Sequence, residues 1–172
     1  VQEYLKCCQI PLKKSIKINK SKINPQDFIN ITKDWWYILT DPNLLEHNDD
    51  LFYIDRQDTS TALWRTFLHQ SWFVYIQEIA ASMPAKMIKC KPWDIILDIS
   101  AAPGWKTTQL CDQLLCLDKT HPGLVIANDI NPLRVRALAH NLSRMGMYNS
   151  WISNFNWFSF WKNLWEIFDH VL

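Results

Sequence analysis

Glycine is scarce in this sequence: its 172 residues include three glycines but ten tryptophans. Glycine normally makes up about 7% of a chain, where it supplies positive φ angles and lets backbones approach closely. The glycine fingerprints G-x-G-x-x-G and G-x-x-x-x-G-K-[ST] are both absent. Their absence disfavours an NAD-linked oxidoreductase and a P-loop phosphate site.

Other absences narrow the class of protein. The five cysteines form no C-x-x-C pair, which disfavours a disulfide framework or a zinc site and favours a reducing cytosol. No histidines are paired at metal-ligand spacing, so we expect no bound metal. No apolar run approaches the ~18 residues of a membrane span, and no signal peptide is present. We therefore expect a cytoplasmic monomer that does not enter the membrane.

The first 60 residues have the pattern of a small α+β module. The stretch PLKKSIKIN alternates imperfectly between apolar and basic residues, which predicts a strand with one solvent-exposed, basic side. NPQDFINITK predicts a short helix, capped by Asn24 and opened by Pro25. WWYILT and LFYID predict two further strands. We place the first domain at 1–60 and the second at 61–172.

From Pro92 onward, strands alternate with helices. The predicted strands are DIILDIS, HPGLVIANDI, SWISNF and FDHVL, and the predicted helices are TTQLCDQLLCL and NPLRVRALAHNLSRMG. The second helix has a cap at Asn131, Pro132 at its start and Gly146 at its end. This alternation predicts an α/β fold with a parallel, Rossmann-like sheet. Since the sheet stops at its fourth strand, we interpret the sequence as a fragment or the ordered part of a longer protein.

The stretch SAAPGWK follows the first of these strands, where open α/β sheets bind ligands. Its small residues allow close approach, and the following helix offers free N–H groups. Asp129 lies about 20 residues beyond, where an acidic side chain can accept hydrogen bonds from ribose hydroxyls. An adenosyl cofactor without phosphates, S-adenosylmethionine, satisfies this pattern. The alternative is that Asp129 only caps the next turn.

Several stretches in fixed order resemble the Sun-domain RNA cytosine-5 methyltransferases, in particular the bacterial members that act on small-subunit ribosomal RNA. They are PLKKSIKIN, YIQEIAASMP, LDISAAPGWKTTQL, ANDINPLRVRALAHNLSRMG and FNWFSF followed by FDHVL. The resemblance covers nearly the whole chain. It implies a Rossmann-like, SAM-dependent methyltransferase sheet, truncated here, preceded by an N-terminal module that positions RNA. The implied partner is ribosomal RNA of the small ribosomal subunit.

The resemblance also implies site residues. The cofactor contacts carry over to Ser100, Ala101, Ala102, Pro103, Gly104, Trp105, Lys106, Asp129 and Asn156. The family usually carries Asp at the last of these positions, so charge assistance to the adenine amino group is lost there. Lys13, Lys14 and Lys17 are the candidates for RNA phosphate contacts. The alternative is that these lysines protect an exposed edge strand from aggregation.

The reaction that the resemblance implies needs a cysteine. A thiolate adds to cytosine C6, C5 then takes the methyl group, and a base removes the C5 proton. The family draws its cysteines from segments beyond the fourth strand, which this sequence does not include. We assign no catalytic residue and expect the chain alone to be inactive. The alternative is a non-catalytic remnant that binds RNA and SAM.

Six tryptophans stand where the family tends to carry glycine: Trp64, Trp72, Trp93, Trp105, Trp157 and Trp161. If those positions need positive φ, each tryptophan costs on the order of 1–3 kcal/mol in strain. The alternative is that these turns use ordinary φ angles and that the rings lie on the surface.

Overall fold

The computed structural model describes residues 2–35, 37–43, 49–158, 162 and 165–172. Within them it has two four-stranded sheets. The strands are β1 (Ser15–Ile18), β2 (Tyr37–Thr40), β3 (Leu51–Arg56), β4 (Val74–Ile76), β5 (Ile95–Asp98), β6 (Leu124–Asn128), β7 (Ser150–Ser153) and β8 (His170–Val171). The helices are α1 (Gln2–Cys8), α2 (Pro25–Asp34), α3 (Phe67–Gln70), α4 (Ile79–Met87), α5 (Trp105–Leu117) and α6 (Pro132–Met145).

The N-terminal sheet is antiparallel, with the strand order β2-β3-β1-β4. Strand β1 is therefore central, and all four of its residues are buried. Ile16 and Ile18 pack in a core with Phe28 of α2. The prediction of one solvent-exposed, basic side for β1 is wrong, and so is the alternative of an edge strand. The alternation was read correctly, but other elements cover both faces.

The antiparallel sheet continues past residue 60. Strand β4 pairs with β1, with Ile16 opposite Ile76 and Ile18 opposite Val74. Leu63 and Leu68, from the segment that leads to β4, are buried in the same core. The antiparallel sheet thus takes its fourth strand from residues beyond 60, and the domain boundary at residue 60 stays a prediction.

The second sheet is parallel, with the strand order β7-β6-β5-β8. The predicted α/β sheet is confirmed, including the fourth strand, which pairs with β5 on the side opposite β6. Its largest buried side chains come from β5 and α5, among them Ile96, Leu110 and Leu114. Strands β6 and β7 lie on one side of β5, and β8 lies on the other. The direction in which the chain adds strands to the sheet therefore reverses at β5. The loop after β5 is therefore at the switch point, where such sheets bind ligands.

The predicted capping residues lie at the start of α2 and at both ends of α6. The side chain of Asn24 accepts a hydrogen bond from the N–H of Gln26 at the start of α2. The side chain of Asn131 accepts from Leu133 N–H at the start of α6, and Gly146 ends that helix at φ 75°. Only glycine adopts this left-handed conformation without strain.

Two of the six tryptophans expected at glycine positions have positive φ. The values are 68° at Trp72 and 78° at Trp93. Trp64, Trp105 and Trp157 are not among the positive-φ residues of the described chain, so the alternative of ordinary φ holds there. Trp161 lies outside the described residues. Nothing in the structure explains why tryptophan stands at Trp72 or Trp93.

A buried charge network joins the two units. The ammonium group of Lys17 in β1 lies 2.5 Å from the Asp112 carboxylate in α5 and 3.4 Å from that of Asp50. Asp50 also pairs with Lys86 of α4. Asp112 accepts a further hydrogen bond from the backbone N–H of Ser21 at 2.9 Å. The N-terminal sheet is thus attached directly to α5, the helix that follows the switch-point loop.

Among the described residues, every helix is too short or too polar to cross a membrane.

Candidate cofactor site

A cavity of about 320 Å³ opens beside the loop at the carboxyl end of β5. Six of the nine predicted cofactor residues line it, namely Ser100, Ala101, Ala102, Pro103, Trp105 and Lys106. The opposite wall comes from Ala81 and Pro84 of α4 and from Arg134 of α6. The volume is at the small end of the range of ligand pockets, roughly 300–1,000 Å³. Six of the predicted residues therefore share one surface, and their contact with a cofactor stays a prediction.

The loop is held from the neighbouring strand. Ala101 N–H donates to the carbonyl of Asn128 at 2.7 Å. The Asn128 side chain donates to the carbonyls of Ile99 and Phe155, at 3.1 and 3.0 Å, and accepts from Phe155 N–H at 2.9 Å. This buried amide therefore joins the ends of β5 and β6 to the segment after β7. Sequence reasoning missed Asn128, although it directly precedes Asp129.

Helix α6 also contacts the loop. The guanidinium group of Arg134 donates to the carbonyl of Ala102 and lies 3.3 Å from the carboxylate of Asp129. Asn141 donates to the carbonyl of Pro103 at 2.8 Å. The peptide bond between Ala102 and Pro103 is cis. Sequence reasoning did not connect Arg134 with the loop, because the hydrogen-bond acceptor lies 32 residues away.

Asp129 caps the next turn and also contacts the predicted cofactor loop. One carboxylate oxygen accepts from Asn131 N–H at 2.9 Å, which is the turn-capping alternative. The other accepts from Ala102 N–H at 3.2 Å and faces Arg134, which ties it to the predicted cofactor loop. The residue is 1% exposed. The contact with a ribose remains a prediction, and the attachment to the loop is what the structure shows.

Asp98, the last residue of β5, is a further buried carboxylate next to the loop. One oxygen accepts from the hydroxyl of Thr107 at 2.6 Å, and the other has no hydrogen-bond partner among the described residues. Burial raises the pKa of Asp98, and the Thr107 hydrogen bond partly offsets this. A buried carboxylate oxygen without a partner is an exception that a bound group would explain, although Asp98 is not among the residues that line the cavity. The sequence signal was an acidic residue ending a buried strand.

The start of α5 determines the shape of the cavity. Gly104 precedes the helix at φ 105°, and an added Cβ there would lie 3.1 Å from the Leu138 side chain. Trp105 is the first helical residue, so its backbone does not need glycine. Its ring lies edge-to-face on Tyr75, with centroids 6.4 Å apart, and forms part of the cavity wall. The indole therefore borders the site without altering the backbone of the loop.

Three of the nine predicted cofactor residues do not line the cavity, and Asn156 is the one not yet described. Asn156 is exposed, and its side chain accepts a hydrogen bond from Phe158 N–H at 3.1 Å. Neither Asn156 nor Gly104 nor Asp129 lines the cavity. Taken together, the small loop residues, the helix N-terminus and the unpaired Asp98 oxygen fit an adenosyl ligand without phosphates.

The three lysines predicted to contact RNA differ in their exposure and in their partners. Lys13 lies with its ammonium group 5.4 Å from the centre of the Tyr53 ring, and Lys14 is exposed. Lys17 is 4% exposed and paired with two carboxylates, so the prediction that it contacts RNA is wrong. Its charge is neutralised inside the protein by groups that sequence reasoning could not place beside it.

The cysteines differ in accessibility. Cys7, Cys8 and Cys116 are exposed, whereas Cys111 is buried. Burial raises the pKa of Cys90 to about 11 and raises that of Cys111 further above its ordinary value. The thiolate is the nucleophilic form, so these two thiols are poor candidates for attack on a base.

Comparison with known proteins identifies the family. A family model described as 16S rRNA methyltransferase RsmB/F matches residues 85–172, about half of the chain. Ribosomal RNA small subunit methyltransferase F of Vibrio parahaemolyticus is 33% identical over 174 residues, covering 100% of this chain and 35% of that protein. The Citrobacter koseri protein of the same name is 34% identical over 173 residues, covering 99% and 34%. The chain thus spans about a third of the length of these relatives.

Solved structures support the fold. A methyltransferase homologue from Pyrococcus horikoshii superposes with a TM-score of 0.81 at 24% identity, covering 96% of this chain and 51% of that one. NSun6 from the same organism, solved with SFG, gives 0.72 at 16% identity, covering 90% and 61%. At these identities the likeness establishes a shared fold, which confirms the truncated Rossmann-like methyltransferase sheet. The chain belongs to the 16S rRNA methyltransferase RsmB/F family.

Proposed function

We propose that this chain is the SAM-binding part of an enzyme that forms 5-methylcytosine in small-subunit ribosomal RNA. The observation that carries the proposal is the cavity at the switch point, lined by six predicted cofactor residues. Membership of the RsmB/F family supports the reaction class and the RNA substrate. We further propose that the protein acts in the cytoplasm, as a monomer, on RNA of the small ribosomal subunit.

The residues present would hold the cofactor by chemistry that matches its parts. The N–H groups at the start of α5, next to Lys106, suit a carboxylate. The unpaired oxygen of Asp98 would suit an ammonium group, and Asp129, held in place by Arg134, would suit ribose hydroxyls. When bound, the cofactor supplies an electrophilic methyl group.

Nucleophilic catalysis is the step for which this chain offers no residue. Attack on cytosine C6 needs a thiolate close to the cofactor. Cys111 is buried in the core, Cys90 keeps its proton at neutral pH, and Cys7 and Cys8 lie on α1. None of the five cysteines lines the cofactor cavity. We therefore propose that the chain binds the cofactor but transfers no methyl group by itself.

Calorimetric titration of the chain with SAM tests the proposal. We expect saturable binding, and we expect Asp129→Ala to abolish it while the exposed Asp34→Ala retains it. Asp129→Asn keeps the size of the side chain and separates loss of charge from collapse of the loop. Absence of binding by a chain with a native circular dichroism spectrum would refute the proposal.

A second assay separates an enzyme from a remnant. The chain is incubated with methyl-labelled SAM and small-subunit RNA, alone and with the remaining segment of the protein. We expect transfer only in the second mixture. RNA retention without transfer in both mixtures would favour a non-catalytic remnant that binds RNA and SAM.

A further inference from the structure

A second concavity lies on the N-terminal sheet. It encloses about 770 Å³ beside the start of β2, the end of β3 and the start of α3. The residues that matter here are Trp35, Tyr37, Arg56, Gln57, Asp58 and Phe67. We name it the aromatic groove. None of its lining residues lines the cofactor cavity, so the two are distinct sites.

The aromatic rings of the groove are exposed. Trp35 is 42% exposed and Phe67 is 62% exposed. Their ring centres are 5.8 Å apart and the planes meet at 71°, which is an edge-to-face contact. Phe67 meets Phe73 in the same way, at 6.2 Å and 73°. An edge-to-face contact covers a face of only one of the two rings, so these exposed rings leave flat surface for a planar ligand. Bases stack on such surfaces whatever their sequence.

The polar side chains of the groove match the edges of a base. Arg56 and Gln57 carry donors for ring nitrogens and carbonyls. Hydrogen bonds from Ser60 hold the pKa of Asp58 below its usual value, so that carboxylate is an acceptor for an exocyclic amino group at neutral pH. A lipid tail or an apolar helix would leave these groups without partners.

Positive charge continues from the groove along the sheet. Ile54 N–H bonds to the carbonyl of Lys14, which places the start of β1 beside the end of β3. Lys13 and Lys14 therefore lie at the same end of the sheet as Arg56. Near the start of α3 in the chain, the guanidinium group of Arg65 lies 5.2 Å from the centre of the exposed Trp64 ring. Basic side chains on these neighbouring segments are of the kind that contacts phosphates.

We propose that the aromatic groove binds one unpaired nucleotide of the RNA substrate, with its base stacked against Trp35 and Phe67. The proposal rests on the proposed function, because it takes RNA as the substrate. Since the groove and the cofactor cavity share no residue, this nucleotide is not the one that is methylated. Its role is to anchor the strand.

Binding of a fluorescein-labelled, single-stranded 12-nucleotide RNA to the chain, followed by anisotropy at low salt, tests this. Loss of one stacking ring weakens single-strand binding by roughly 5- to 100-fold. We expect a loss in this range for Trp35→Ala and for Phe67→Ala. Trp35→Phe keeps a ring and should retain most of the affinity, which guards against a variant that has only lost its fold. Trp151→Ala, at a 67% exposed tryptophan on β7, should bind like the parent.

Photocrosslinking locates the base directly. The same RNA carrying 5-iodouracil is irradiated with the chain, and the adduct is mapped by peptide mass spectrometry. An adduct at Trp35, Tyr37 or Phe67 supports the proposal. RNA binding that is unchanged in Trp35→Ala and Phe67→Ala, with adducts elsewhere, overturns the groove and leaves the proposed methyltransferase function intact. No RNA binding by a chain that still binds SAM also overturns it, whereas loss of SAM binding is the separate failure of the proposed function.

Discussion

The ammonium nitrogen of Lys17 lies 2.5 Å from a carboxylate oxygen of Asp112, and both side chains are almost fully buried. The two residues are 95 positions apart in the chain, Lys17 in strand β1 and Asp112 in helix α5. Burial alone would lower the pKa of Lys17, but the carboxylates of Asp112 and Asp50 outweigh it and raise the pKa. Lys17 therefore remains charged inside the protein.

Removal of the Lys17 charge should destabilise the fold strongly. Lys17→Met keeps the apolar part of the side chain but leaves the buried Asp112 carboxylate without a charged partner and Asp50 with Lys86 alone. Breaking a buried ion pair in this way costs about 3–5 kcal/mol in the free energy of unfolding. Urea denaturation measures the change. Lys20→Met breaks the more exposed pair with Asp49 and should cost at most about 1 kcal/mol. Equal losses for the two variants would contradict the prediction.

Acid should weaken the same network. Burial alone would raise the pKa of Asp50, but the charges of Lys17 and Lys86 outweigh it and hold the pKa below its usual 3.8. The native state therefore binds this proton less readily than the unfolded state. The stabilisation is present above the unfolded pKa and is lost as pH falls through the folded one, between roughly pH 5 and pH 2. Asp50→Asn should flatten that part of the curve of unfolding free energy against pH. If the unfolding free energy of Asp50→Asn fell as steeply with acid as that of the parent, Asp50 would not be the cause of the acid sensitivity.

Replacement of Trp93 by glycine should stabilise the fold. Trp93 has φ 78°, and its ring is 68% exposed and stacked on His121. Replacement by glycine relieves the strain but adds freedom to the unfolded chain, so Trp93→Gly should stabilise by roughly 1 kcal/mol. Thermal denaturation measures the gain.

Two other tryptophans serve as comparisons for that prediction. Trp72→Gly also relieves a positive φ, but it removes a ring that lies 4.4 Å from the Arg144 guanidinium group, so its gain should be smaller. Trp105→Gly, at the first residue of α5, should lower the melting temperature. A gain at Trp105 equal to that at Trp93 would show that φ is not the cause.

Arg134 should contribute to cofactor affinity. It donates to the carbonyl of Ala102 and faces Asp129, so its loss frees both the loop and the carboxylate. Hydrogen bonds to charged groups contribute about 1.5–3 kcal/mol, so Arg134→Met should weaken SAM binding by roughly tenfold or more. Arg136→Met, exposed on the same helix, is the control. Equal affinities for the two variants would remove Arg134 from the site.

Thiol labelling should separate the cysteines by burial. At neutral pH, iodoacetamide should modify Cys7 and Cys8 rapidly, whereas Cys111 should react only after unfolding, because burial raises its pKa and blocks access. Peptide mass spectrometry over time gives the rates. Rapid labelling of Cys111 in the native chain would contradict its place in the core.

The sequence predicted those features that depend on neighbouring residues. Asn131, Pro132 and Gly146 bound α6 because capping and termination are local. The loop after β5 was found because strand, small residues and helix follow one another directly. The burial of Lys17 was missed because its partner Asp112 is distant in sequence and the alternation of β1 carries no information about what covers it. Strand β4 was missed because its three residues gain their pairing only from β1.

The attachment of β1 to α5 through Lys17 and Asp112 constrains the distance between the N-terminal sheet and the cofactor loop. Helix α5 begins at the cofactor loop, and β1 belongs to the sheet that carries the aromatic groove. A strand of RNA held in the groove would meet the methyl donor at a constant number of nucleotides from its anchor. The target base would then be selected by its distance along the RNA strand as well as by its identity.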